Sequence, residues 1–107
     1  GVGTSVYDYV QTRFGGKDRV EGTAEFDDAV VTAYRYGDKI GVFIANVTSE
    51  PLSLKFILNA LRDYGMENGT VTLIDGKGTS RLSEIRNGKA AVDLSLSAYE
   101  VVLLEIG

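Results

Sequence analysis

The stretch Tyr34-Arg35-Tyr36-Gly37-Asp38-Lys39-Ile40-Gly41-Val42-Phe43-Ile44-Ala45-Asn46-Val47-Thr48 decides the fold class. Two runs of β-branched and aromatic residues flank a glycine and an aspartate, the pattern of two strands joined by a two-residue hairpin. Ala29 to Tyr36 places Val30, Thr32, Tyr34 and Tyr36 on one face of the first strand. Ile40 to Val47 is apolar on both faces, which predicts a central strand covered on each side.

Working outward, the same period of two recurs. Leu52, Leu54, Phe56 and Leu58 alternate with Ser53, Lys55, Ile57 and Asn59, a half-buried strand with one large apolar face. Thr48 to Pro51 is a loop. Residues 60–68 form the longest connection without strand character, with room for one helical turn before Gly65. Thr70 to Asp75 is the next strand, closed by Gly76-Lys77-Gly78. Arg81 to Ile85 and Lys89 to Leu96 flank Asn87-Gly88, the strongest short hairpin signal in the chain. In the later of these strands Val92, Leu94 and Leu96 face the core, with Asp93 and Ser95 toward water. Ala98 to Ile106 is apolar on both faces and reads as central although it is last. Before the quoted stretch, Ala24 to Phe26 reads as a short edge strand and Asp27-Asp28 as a turn.

The opening differs. Ser5 is a suitable N-cap, and Val6, Val10 and Phe14 recur at helical spacing before the stop Gly15-Gly16. This predicts a short helix with one narrow apolar stripe. It either packs on its own domain or is the last piece of a preceding one. Residues 1–19 are therefore set apart as a helix or linker, with Gly1 to Thr4 reading as a scar or linker, and 20–107 as one domain. The expected fold is all-β: a two-layer antiparallel β-sandwich of seven or eight strands with a short N-terminal helix.

A chain of 107 residues has the length of one domain and can bury one core without staples. No apolar run approaches the roughly 20 residues of a membrane-spanning helix, and no signal peptide is visible. Eleven scattered basic residues in a chain of net charge −4 argue against nucleic acid and anionic membranes as partners. Cysteine and histidine are both absent. That removes disulfides, thiolate sites, the commonest general base and the commonest metal ligand together.

Few residues offer chemistry. Glu25, Asp27 and Asp28 are the densest carboxylates, but they match no calcium-loop spacing and sit at a turn where solvated acids belong. Gly76-Lys77-Gly78-Thr79-Ser80 lacks the order of a phosphate-binding loop and precedes a strand, so its glycines read as turn residues. No serine or threonine has a histidine to activate it. Asn46-Val47-Thr48 and Asn68-Gly69-Thr70 fit the N-glycosylation acceptor pattern, a frequent accident. Six tyrosines remain, with no tryptophan. Tyr34 and Tyr36, on one strand face, are the candidates for stacking on a sugar ring, with Tyr64 on a loop. No catalytic, cofactor-binding or metal-binding residue is expected.

Two segments carry a resemblance. One runs from Tyr36 through Gly37-Asp38-Lys39 to Asn46-Val47-Thr48, where a hinge opens an apolar strand that closes before the turn Ser49-Glu50-Pro51. The other runs from Leu94 through the break Ser97-Ala98 to Ile106. Together they resemble the β-sandwich that follows the catalytic barrel in multidomain glycoside hydrolases of the α-amylase and α-galactosidase kind. The resemblance implies a non-catalytic accessory domain that buttresses a barrel of the same polypeptide and edges its substrate cleft. Val6, Val10 and Phe14 would then make interdomain contact. No catalytic residue is carried over, because the carboxylates of such enzymes lie in the barrel. The alternatives are an autonomous glycan-binding module using Tyr34 and Tyr36 on a polysaccharide, and an adhesion-type structural repeat.

Overall fold

The computed structural model describes residues 22–25, 28–58 and 61–107. Among these residues are eight strands: β1 (Gly22–Glu25), β2 (Ala29–Tyr36), β3 (Lys39–Asn46), β4 (Leu52–Leu58), β5 (Gly69–Asp75), β6 (Gly78–Ile85), β7 (Ala90–Leu96) and β8 (Val101–Ile106). A 3-10 helix at Leu61–Tyr64 links β4 to β5. The strands form a six-stranded sheet in the order β1-β2-β3-β8-β5-β6 and a two-stranded sheet of β4 and β7. All pairings are antiparallel, giving the two-layer sandwich that the period-two pattern predicts. The expected helix with Val6, Val10 and Phe14, the boundary at residues 19–20, and Asp27 lie outside the described residues.

The quoted stretch forms the β2–β3 hairpin, with Tyr36 opposite Lys39 and Gly37 at φ 58°, left-handed backbone that glycine adopts without strain. β8 inserts between β3 and β5, so the last strand is central, as its two apolar faces predict. Its register sets Phe43 opposite Leu103 and Ile44 opposite Val102. Alternation then sends Val31, Ile40, Val42, Ile44, Val102, Leu104 and Ile106 inward. They join Leu54, Phe56, Leu58, Val92, Leu94 and Leu96 of the small sheet in one buried cluster, which Leu61 and Met66 complete. Burying a side chain of this size stabilises a fold by roughly 1.5–3 kcal/mol.

One turn departs from expectation. Asn87-Gly88 predicts a hairpin within one sheet, yet β6 pairs with β5 and β7 pairs with β4. The tight turn does form, with φ of 54° at Asn87 and 72° at Gly88 and an isolated bridge between Arg86 and Lys89. It carries the chain from one layer to the other, which lets Ile85 and Ala90 both point into the core from different sheets. Hydrogen bonds pin it beneath the 3-10 helix: the Gly88 amide donates to the Glu67 carbonyl (2.9 Å) and the Leu61 amide to the Gly88 carbonyl (3.0 Å). A Cβ at Gly88 would come within 2.9 Å of the Arg62 Cβ. β6 instead forms its within-sheet hairpin with β5, where the Asp75 carboxylate accepts from the Lys77 amide (2.8 Å).

Asn46, at the end of β3, is a buried polar side chain, 2% exposed. Its Nδ2 donates to the carbonyls of Glu50 (2.7 Å) and Ser97 (3.0 Å). Its Oδ1 accepts from the Thr48 amide (3.0 Å) and hydroxyl (2.8 Å). Every hydrogen-bonding capacity of the amide is engaged, which is what makes its burial tolerable. The side chain ties the loop after β3 to the turn before β8. Both Nδ2 protons are donated inside the protein, so a sugar on Asn46 would have to displace one of these bonds. Asn46→Ala takes one donor from each of the Glu50 and Ser97 carbonyls, which keep the Thr48 hydroxyl and the Glu100 amide, and takes the acceptor from the Thr48 amide; it is expected to lower stability by roughly 1–3 kcal/mol in urea unfolding. Asn46→Asp, which sets acceptors against both carbonyls, should be at least as damaging.

Candidate functional site

Alternation that fills the core from one side of the six-stranded sheet leaves a second side facing outward. Thr32 lies opposite Phe43, Phe43 opposite Leu103, and Leu103 opposite Ile74, making a row across β2, β3, β8 and β5. Tyr34 lies opposite Gly41 in the next row and Ala45 opposite Val101 in the row on the other side. The Tyr34 ring lies across Gly41 and stacks on Phe43, with centroids 5.7 Å apart and planes at 24°. A Cβ on Gly41 would approach the Tyr34 ring to 2.6 Å, so the glycine makes room for the ring to lie flat. Beside it Lys39 pairs with Glu105 across β3 and β8 at 3.1 Å.

The expectation that β3 and β8 are covered on both sides is corrected here. Phe43 is 40% exposed and Val101 55% exposed. These strands are central in their hydrogen bonding, but among the described residues the second layer contains only β4 and β7 and lies on the opposite side of the sheet. Among the described residues their outward apolar side chains therefore form an open surface rather than a second core. Exposed contiguous apolar surface of this kind marks interaction sites more often than chance.

The aromatic candidates separate. Tyr34 is half-buried and forms the floor of this face with Phe43. Tyr36 pairs with Lys39 through its backbone, and its side chain lies outside the described residues. Tyr64 packs against the core and carries the Arg35 guanidinium over its ring at 5.5 Å, so it is occupied by a cation–π contact. Sequence reasoning missed Tyr99. It is 67% exposed, in the turn leading into β8, at φ 57°. Its amide donates to the Thr48 carbonyl (3.1 Å), and the Glu100 carboxylate caps the turn by accepting from the Ser97 amide (2.8 Å). The break Ser97-Ala98 was the available signal, since a turn residue after it escapes the strand alternation that buries its neighbours.

A shallow groove of about 480 Å³ opens elsewhere, lined by Ile57, Ala91 and Leu82 with Lys55 and Asp93 beside them. Lys55 and Asp93 pair across β4 and β7 at 3.9 Å, both well exposed, a weak surface interaction. Among the described residues, no group of three or more histidine, cysteine, aspartate or glutamate side chains is placed to hold a metal. Two further sets of charges pair at the surface. Arg62 holds Glu67 through both oxygens, one bond being 2.9 Å, and its hydrogen bonding holds the Glu67 carboxyl below the usual glutamate range. Arg86 donates twice to one oxygen of Glu84 (3.1 and 2.6 Å) and Arg81 once to the other (3.2 Å), and the Arg86 hydrogen bonding holds the Glu84 carboxyl below the usual glutamate range. The arrangement offers surfaces for contact.

No protein-family model matches the sequence, and no curated protein matches it. Solved structures do resemble it in fold. A candidate α-N-acetylgalactosaminidase of Bacillus halodurans C-125 superposes at a TM-score of 0.53 and 18% identity, over 78% of this chain and 19% of its own. A GH30 endoxylanase of Clostridium papyrosolvens C71 superposes at 0.54 and 14% identity, over 80% and 22%. α-Galactosidase I of Mortierella vinacea gives 0.51 and 13%, over 78% and 21%. The chain thus spans about a fifth of the length of each glycoside hydrolase it resembles.

Two outcomes follow from this surface chemistry. Gly41→Ala should displace the Tyr34 ring while costing only about 1 kcal/mol, because the clashing atoms are the far end of a side chain that can swing aside. Loss of ring-current shifts between Tyr34 and Phe43 in NMR spectra is the readout. For Glu67, a folded-state pKa below the unfolded one means the pair's contribution is present above the ordinary glutamate value and is lost as pH falls through the depressed one. Arg62→Met should raise the Glu67 pKa toward the ordinary range in an NMR titration and flatten that part of the acid limb.

Proposed function

We propose that this chain is a non-catalytic accessory domain of a larger glycoside hydrolase, following its catalytic barrel and edging the substrate cleft. The observation that carries the reading is the pattern of coverage: three glycoside hydrolases each share this fold over only about a fifth of their length. An open apolar sheet face around Phe43 and Val101 supports it, since a domain that buttresses another needs such a surface. The absence of histidine and cysteine from the whole sequence is in keeping with it.

The parent polypeptide provides the test. Glycoside turnover should map to the part outside these residues, and deleting residues 22–107 should lower the thermal stability of that part. Turnover by the 107-residue chain alone, or a parent with no second domain, would sink the proposal.

A second reading, a glycan-binding module, is favoured by one specific observation, the exposure of Tyr99 in left-handed backbone. A bulky residue held there costs conformational energy, and such strain clusters at functional positions. Affinity electrophoresis through soluble polysaccharides separates the two readings. Retardation of the wild-type chain that Tyr99→Ala abolishes, with Tyr34→Ala and Tyr36→Ala as further probes, would favour the module. Unretarded migration in every gel favours the accessory domain.

A further inference from the structure

The Asn87-Gly88 turn carries the chain from β6 in the large sheet to β7 in the small one, and it joins an exposed asparagine to a buried glycine. An asparagine before glycine is chemically labile, because glycine has no side chain to hinder attack of its nitrogen on the neighbouring carboxamide. We infer that Asn87 is a deamidation site gated by the clamp on Gly88: the closed turn shields it, and opening of the turn releases it to conversion with water as the only co-reactant. This inference is independent of the glycoside hydrolase reading and stands or falls without it.

The Gly88 nitrogen gives up its proton and bonds to Cγ of Asn87, the Cγ–Nδ2 bond breaks, and ammonia leaves. A five-membered succinimide results. Water then adds to one of its two carbonyls. Breaking the nitrogen–Cγ bond gives aspartate. Breaking the bond from nitrogen to the backbone carbonyl carbon gives isoaspartate, whose main chain runs through Cγ and is one carbon longer. Nothing is oxidised or reduced.

The closed turn blocks the first step twice. The Gly88 amide donates to the Glu67 carbonyl at 2.9 Å, and Arg86 and Lys89 exchange backbone bonds of 2.8 and 3.1 Å across the turn. A nitrogen that keeps its proton in a hydrogen bond is a poor nucleophile. Geometry is the second barrier. The ring forms only when Cβ of Asn87 and the Gly88 nitrogen eclipse one another about the Cα–C bond. The φ values of 54° and 72° fit a type I′ turn, whose first central residue has ψ of about +30° and holds those two atoms nearly opposite. Return is blocked once isoaspartate has formed. The Gly88 carbonyl must meet the Leu61 amide, and the Arg62 backbone nitrogen lies 3.0 Å from where a Gly88 Cβ would sit. A lengthened main chain has no room to regain that fit, so the modification records the opening that allowed it.

The test ages the full chain at mildly alkaline pH, folded and in denaturing guanidinium chloride, and then cleaves it after glutamate. Fragment 85–100 holds Asn87 as its only carboxamide, and the other Asn-Gly step, Asn68-Gly69, falls in fragment 68–84. Mass spectrometry should find Asn87 converting at least about tenfold more slowly in the folded chain, as a local opening equilibrium of about 1:10 or steeper imposes. Denaturant below the unfolding transition should speed Asn87 conversion and hydrogen exchange of the Gly88 amide in step. Leu61→Ala, which removes the buried anchor of the 3-10 helix, should raise both rates while circular dichroism confirms the strands. Should that variant fail to fold, the denaturant series on the wild-type chain serves alone. The isoaspartate form, separated by its added negative charge, should not regain protection of the Gly88 amide. Conversion as fast in the folded chain as in the denatured one, or conversion that ignores changes in Gly88 exchange, would overturn the proposal. An isoaspartate chain with its Gly88 amide protected again would overturn it as well.

Discussion

Among the described residues two strands cover one side of a six-stranded sheet, and that mismatch shapes the fold. Opposed apolar layers sit about 10 Å apart, so the side chains of β4 and β7 must interdigitate with those of β3, β8 and their neighbours. Leu54, Phe56 and Leu58 from one strand and Val92, Leu94 and Leu96 from the other supply the bulk. The ends of the layer need separate closure. Near the start of β8, Asn46 ties the β3 loop to the Ser97 turn. Beyond the other end of β8, the 3-10 helix brings Leu61 into the core and clamps the turn at Gly88. Both closures use hydrogen bonds to backbone, which satisfy groups that would otherwise be buried unpaired.

Most of the strand architecture was legible because a period of two is hard to imitate by chance over seven or eight residues. Leu52 to Leu58 and Ala90 to Leu96 show it in full, and both fold as the alternation dictates. What period cannot reveal is pairing. Asn87-Gly88 has the local chemistry of a hairpin and makes the turn, but which sheet β7 joins is settled by core packing and by the backbone of Glu67 and Leu61, 21 and 27 residues before Gly88. The same limit misled the reading of β3 and β8. Two apolar faces on a strand were equated with two covering layers, whereas here one face meets a core and the other lies open. Tyr99 escaped notice because its exposure comes from a left-handed turn that no alternation pattern encodes.

The functional reading has a different foundation. Identity of 13–18% to the solved glycoside hydrolases carries the fold and nothing finer. The residues distribute into a buried core, a polar rim of paired charges and one apolar outer face. The proposed accessory role rests on that division together with the coverage of the solved structures.

The place of β8 has a consequence for how the chain acquires its shape. Phe43 and Leu103 are sixty residues apart in sequence yet face each other across adjacent strands. Until Ile106 has left the ribosome, β3 and β5 have no common neighbour and the large sheet exists as two separate halves. Vectorial synthesis therefore cannot complete this domain piecemeal. The nascent polypeptide must keep its half-sheets from pairing with other chains until the closing strand arrives, and a premature stop that removes only this strand would take out the middle of the sheet rather than its margin.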